Sequence, residues 1–402
     1  MTDSVDCKKQ IDELLNLPQQ MWLLGAGTSK NAGIPLMHPL TNRVETMLQG
    51  EDKKIFQTIR NDLPESAHVE HVLSHIGDLI AIADRGKRKA VEIGGTVRTL
   101  NRLDELHRTI QKVIRDTMRW GYIPACDTSP ECIGEEGKPI VSIDGHVNFV
   151  QALFHGRRAG LERRPPVAFF TTNYDTLLED ALALCRVVAS DGFCGGAMAF
   201  WDPGNEFERP FNSDGRVQAK VFKLHGSIDW IMSSEDIVVR RREGAGYPDE
   251  SKGRLLIYPQ ATKYMVTQRD PFATLFTAFR LALADSQPGL LTVCGYSFRD
   301  DHKKEEIDRA LKQRGNRQTL LALAHQEDNR LQESDRGLPS TLVKWLSPGS
   351  DPWRERIVVA GSHGVYHGSL ENKCPCEEEA PHEWWSFQGL TNLIRHGPEV
   401  EV

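Results

Sequence analysis

Seven short apolar runs punctuate this chain, at 21–25 (MWLLG), 167–173 (VAFFTTN), 221–226 (VFKLHG), 255–259 (LLIYP), 290–295 (LLTVCG), 320–324 (LLALA) and 356–361 (RIVVAG). Several lack the polar alternation of a half-exposed strand, and strands buried on both faces belong to parallel sheets covered by helices. The stretches 175–185, 270–286 and 300–314 open on Asp and carry apolar residues at helical spacing. The alternation therefore reads β-α-β, and the expected fold class is α/β, a doubly wound parallel sheet.

Two regions depart from that pattern. Residues 68–84 and 96–120 have helical periodicity with almost no strand signal, so 45–144 is expected to form a mainly helical insertion, with a loop-rich stretch from Gly121 to Gly145 at its end. The tail 316–402 is expected to be a C-terminal extension; it keeps strand-like runs and ends in an acidic, aromatic segment around Trp384 and Trp385.

Composition narrows the class of function. With 49 basic and 56 acidic residues the net charge is -7, which gives no general reason to bind nucleic acid, whose phosphates reward clustered Lys and Arg. The basic runs 85–89 and 238–243 are read as solvated faces. No apolar run approaches the ~18–20 residues of a membrane span, and the N-terminus lacks a signal peptide's order. No membrane association is expected, and the expected location is cytoplasmic. Eight cysteines without a CxxC pair are expected to be reduced thiols.

Chemistry is expected at strand ends, because ligands of open α/β sheets sit outside the carboxyl ends of the strands. The first run breaks into Gly25-Ala26-Gly27-Thr28-Ser29, followed by Gly33-Ile34-Pro35. Backbone N–H groups and two hydroxyls at a helix start would suit a pyrophosphate, although a tight strand-to-helix turn uses the same residues. The loop lacks the Gly-Lys-Ser/Thr of an ATP-binding P-loop. Thr172, Asn173 and Asp175 end a second run, His225, Gly226 and Ser227 a third, and Gly295, Tyr296, Ser297 and Phe298 a fourth.

In that order, "GAGTSKNAGIP", "TTNYD", "KLHGSIDW" and "GYSFRDDH" resemble the sirtuin-like superfamily, in particular its bacterial branch of NAD hydrolases acting in anti-phage defence. The resemblance implies a Rossmann-like NAD-binding domain over 1–44 and 145–315. It makes NAD the substrate, and it matches Asn173 and His225 to the residues that cleave the nicotinamide–ribose bond. Where the family often has Ile-Asn after "DDH", this chain has Lys303 and Lys304, so no ligand contact is carried to those positions. Sirtuin deacylases carry a four-cysteine zinc module after the histidine–glycine motif, whereas only Cys294 lies between His225 and Cys374 here. Water is thus the expected acceptor, and the expected activity is that of an NAD glycohydrolase. A protein deacylase and a non-catalytic nucleotide-binding subunit are the alternatives. The insertion and extension resemble defence subunits that form large rings beside a HerA-type translocase ATPase, which implies a homo-oligomer and that ATPase as partner.

The residue chemistry suits the assignment. Nicotinamide leaves as a neutral group, so the barrier lies in stabilising an oxocarbenium-like ribose and delivering a nucleophile. An amide such as Asn173 both donates and accepts, and an imidazole such as His225 can take a proton near neutral pH. Asp175 has two readings, an electrostatic partner of that cation or a cap of the following helix. No metal is expected. His68, His71 and His75 share a helix face but are read as surface histidines, and Cys374, Cys376, His367 and His382 have irregular spacing for structural zinc.

Overall fold

The computed structural model describes residues 7–159, 164–204, 207, 209–212, 215–232, 237–242, 255–257, 270–298, 301–347, 351–371, 373–374 and 383–397. A nine-stranded sheet runs through it in the order Lys373–Cys374, Gly364–His367, Ile357–Gly361, Gln318–Ala324, Gly289–Cys294, Gln20–Leu24, Val167–Thr171, Ala219–Lys223 and Ala189–Ser190. All neighbours pair in parallel except the two pairs made by Gly364–His367. The expected α/β class with a largely parallel, helix-flanked sheet is what the chain adopts.

The missing polar alternation has its cause in two apolar layers. Alternate strand residues face opposite sides. Met21, Leu23, Phe170, Phe222, Leu291 and Leu320 join a core covered by Phe272–Leu283, Asp301–Lys312 and Ser340–Leu346. Trp22, Phe169, Val221, Leu290 and Leu321 join another, covered by Cys7–Leu15, Asp144–Val150, Leu177–Leu184 and Phe387–His396. The strands beyond residue 315 extend this same sheet.

Gln20–Leu24 is the point where strand order reverses. The chain moves from it to Val167–Thr171 and Ala219–Lys223 on one side, then returns to Gly289–Cys294 and Gln318–Ala324 on the other. Such a reversal opens a crevice at the carboxyl ends of the strands. The four motifs lie there, on four adjacent strands.

Between 45 and 144 the chain is mainly helical, with helices Gly50–Asp62, Val69–Arg85 and Leu100–Trp120, and the helical run already begins with Met37–Met47. Leu40, Phe56, Leu73, Ile76, Leu106 and Ile110 form a third apolar core that also takes in Tyr174, Leu177 and Ile228. Besides the short pair Tyr122–Ile123 with Cys132–Ile133 in the loop-rich stretch, one hairpin, Ala90–Ile93 with Thr96–Thr99, departs from the expectation of almost no strand. The signal for that hairpin is Gly94-Gly95, both at positive φ (55° and 75°), the conformation that a two-residue hairpin turn requires. A second, five-stranded sheet contains Leu255–Ile257, Gly226–Met232, Val238–Arg241, Met198–Trp201 and Phe193–Gly195. Of its five strands the expected runs had included only 255–257, whose continuation at 258–259 lies outside the described residues.

No helix among the described residues is long and apolar enough to cross a membrane.

Candidate functional site

Asn173 and His225 reach the site by the same construction. Lys223 pairs with Thr171 in parallel register, and the Leu224 amide donates to the Thr171 carbonyl at 2.9 Å. Each candidate lies two residues past its member of that pair. Gly226 then turns with φ 84°, a left-handed conformation that glycine adopts without strain, and the chain enters the second sheet. Ser227 is fully buried, and its hydroxyl donates to the Tyr174 carbonyl at 3.3 Å; the Ile228 amide donates to the same oxygen at 3.0 Å. The two loops are thereby zipped together.

Asn173 is 9% exposed. Its Nδ2 donates to Thr28 Oγ1 and Ser29 Oγ, both at 3.1 Å. Thr28 Oγ1 spends its own proton on the Gly25 carbonyl at 2.8 Å, so it can only accept from Asn173, which sets the orientation of the amide. The consequence is that Asn173 Oδ1 is buried with no hydrogen-bond partner among the described residues. A buried acceptor left unmade costs ~1–3 kcal/mol, which a ligand hydroxyl or a water would recover.

The Gly-rich loop packs closely against the strand-end loop at Gly295. The Gly27 amide donates to the Gly295 carbonyl at 2.9 Å, Thr28 to Gly25 at 3.0 Å and Ser29 to Ala26 at 3.2 Å. These first-turn donors, expected to face a pyrophosphate, are engaged within the fold, and the helix they open is the single turn Gly27–Lys30. A Cβ on Gly25 would lie 2.4 Å from the Gly295 carbonyl oxygen, and one on Gly27 2.7 Å from the Gly295 Cα. Gly25, Gly27 and Gly295 thus let two strand-end loops pack backbone against backbone, while Thr28 and Ser29 hold Asn173. Ala26 and Thr172 are half-buried beside them.

Other candidates point elsewhere. Gly33 approaches Ile140, and Ile34 belongs to the core of the insertion, with Pro35 buried next to it. Phe298 is buried at φ 55° and packs on Tyr296 and Trp345, whereas Ser297 is exposed. Lys304 is half-buried, and the Lys303 side chain, Arg299 and Asp300 lie outside the described residues.

Asp175 is buried, and its Oδ1 accepts the Leu177 amide at 3.1 Å at the start of the helix Leu177–Leu184. Its backbone carbonyl accepts from the buried Lys223 ammonium, which also pairs with Glu179 at 3.0 Å. Burial raises the Glu179 carboxyl above its usual range, opposed by Lys223. His146 is buried as well, and burial lowers its pKa against the opposing pull of Asp175.

The residue that sequence reasoning missed is Glu70. It stands on Val69–Arg85, is 4% exposed, accepts the Tyr174 hydroxyl and lies 3.9 Å from His225 Nδ1. "HVEHVLSH" drew notice for its histidines. An acid on the apolar side of an amphipathic helix was the signal available there, since a buried carboxylate needs partners. His68 and His71 form a cap: the His68 amide donates to His71 Nδ1 at 3.2 Å, and their rings pack edge to face with centroids 4.2 Å apart.

Among the described residues no group of three His, Cys, Asp or Glu is placed to hold a metal ion. His367 bonds Gln10 and the Glu355 carbonyl. Cys376, His382 and the side chain of Cys374 lie outside the described residues. Trp384 is buried and donates to the Gly361 carbonyl at 2.7 Å, a packing role.

A parallel, doubly wound sheet with polar side chains gathered at its carboxyl ends defines an α/β protein with a Rossmann-like fold. Residues 167–342 match the family model for a SIR2-like domain, which supports a sirtuin-like family. SIR2-like domains use NAD, so the match points to NAD-related activity, hydrolytic or deacylating. The match takes in Asn173, His225 and Gly295; Thr28, Ser29 and Glu70 lie before it. No curated protein matches the chain.

Proposed function

We propose that this protein is an NAD glycohydrolase that converts NAD and water into nicotinamide, ADP-ribose and a proton. The observation that carries the reading is the Asn173 carbonyl oxygen, buried without a partner at a strand end next to that of His225. With Nδ2 committed to Thr28 and Ser29, that oxygen is an acceptor of fixed direction for a ribose hydroxyl or the attacking water. The water oxygen bonds to the ribose carbon as the glycosidic bond breaks, and that bond's electron pair leaves with nicotinamide. His225 takes the water's proton, a contribution of ~10²–10⁴-fold in such reactions. Chemistry of this kind needs no metal. Water rather than an acyl-lysine is the acceptor in this reading because the sequence lacks the four-cysteine module of the deacylases.

The same motif order supports a role in bacterial anti-phage defence through NAD depletion, and the insertion and extension support a homo-oligomer beside a HerA-type ATPase. Mass measurement of the complex purified from its native operon tests that assembly.

For the activity, nicotinamide release is measured by chromatography with and without an acetylated peptide. We expect release from NAD alone, and its loss in Asn173→Ala and His225→Ala with the folded circular dichroism spectrum retained. Release only with peptide would make the protein a deacylase, and none under either condition a binding subunit.

A further inference from the structure

We infer that Glu70, contributed by the helical insertion, is the positioning residue of His225. The inference rests on the hydrolase reading for its kinetic consequence and on geometry for its existence. Glu70, Tyr174 and His225 are each at most 5% exposed. The Tyr174 hydroxyl donates to Glu70 Oε1, and the same oxygen faces His225 Nδ1 at 3.9 Å. That separation is longer than a hydrogen bond, and catalytic contacts of this kind often shorten in the substrate complex. The Tyr174 and His225 rings lie 6.4 Å apart, tilted by 37°, so the hydroxyl that anchors the carboxylate belongs to the residue next to Asn173.

The arrangement acts on the proton. A carboxylate opposite Nδ1 favours the neutral imidazole that carries its proton on that nitrogen, which makes Nε2 the nitrogen that accepts from water. When Nε2 has taken the proton, the imidazolium stands beside a buried anion, and the low dielectric strengthens their attraction. The orienting carboxylate, the base and the substrate-side amide then come from two separate parts of the chain, and the insertion becomes a component of the active site.

Two measurements test this. Nitrogen-15 correlation spectra of the histidine side chains, with His225→Ala identifying the signal, report the tautomer above the imidazole's titration range. A proton on Nδ1 is expected, and a proton on Nε2 overturns the proposal whether or not the protein turns over NAD. In kinetics, Glu70→Gln keeps the shape and removes the charge. We expect kcat to fall by at least about tenfold, up to the ~10²–10⁴-fold of losing a base, with KM within about threefold. Wild-type kcat in Glu70→Gln beside an inactive His225→Ala overturns it. Should Glu70→Gln fail to fold, Tyr174→Phe removes only the anchoring hydroxyl and is expected to lower kcat in the same direction; an unchanged kcat there also overturns the proposal. Absence of nicotinamide release from the wild type would sink the hydrolase reading alone, leaving the tautomer to decide on Glu70.

Discussion

Asp175 is buried beside the site, yet its carboxylate is spent on the Leu177 amide and its carbonyl on Lys223. That geometry supports a structural role, so Asp175→Asn, which keeps the acceptor, should leave nicotinamide release within about threefold of wild type, under ~0.7 kcal/mol in the barrier. Asp175→Ala should lower stability by ~0.5–1.5 kcal/mol in urea unfolding, as loss of a hydrogen bond does. A rate loss well beyond threefold in the Asn variant would show that the charge itself is used. The cysteines separate in the same local way. Cys126 is exposed, and hydrogen bonding to Thr128 lowers its thiol pKa, whereas burial pushes Cys294 up to about 12. Since the thiolate is the reactive form, iodoacetamide should alkylate Cys126 in the native protein and spare Cys294, read by peptide mass spectrometry. Early labelling of Cys294 would mean that the sheet opens at the site.

At the scale of elements, the loop after the first strand and the loop at Gly295 behave as one unit. Gly295 has φ 64°, and a Cβ there would lie 2.5 Å from the Thr28 amide nitrogen. Gly295→Ala should therefore destabilise by more than ~1 kcal/mol, because both the backbone conformation and the space exclude a side chain. Urea midpoints check this, and an unchanged midpoint would mean that the loops separate without cost. Gly27→Val should lose stability because a side chain there meets the Gly295 backbone, so its failure to bind NAD would say nothing of a ligand contact. Sequence reasoning linked these glycines to a nucleotide because a turn that admits a phosphate and a turn that admits another backbone require the same residue.

Across the whole molecule, the insertion shares its core with the site loops through Tyr174, Leu177 and Ile228. Burial of side chains of this size contributes ~1.5–3 kcal/mol each, so these three alone are comparable with the ~5–15 kcal/mol that holds a protein folded. Replacing residues 45–144 by a short linker should yield a chain that aggregates and lacks activity, measured by size-exclusion chromatography and nicotinamide release. A folded, active product would show the insertion to be dispensable and Glu70 with it.

The sequence by itself determined the class of fold, since two-sided burial leaves runs such as "VAFFT" without alternation and only a covered parallel sheet accommodates several of them. It also located Asn173 and His225, because polar residues directly after such runs fall at strand ends. Periodicity is a local property, and these are local results. Tertiary structure alone decided that Thr28 and Ser29 orient an amide, that Gly25 and Gly27 face Gly295, and that the strands after residue 315 widen the central sheet. It also brought Glu70 to His225, more than a hundred and fifty positions later in the chain. Contacts between distant residues follow from how helices and sheet stack to exclude water, and no spacing in the chain records them.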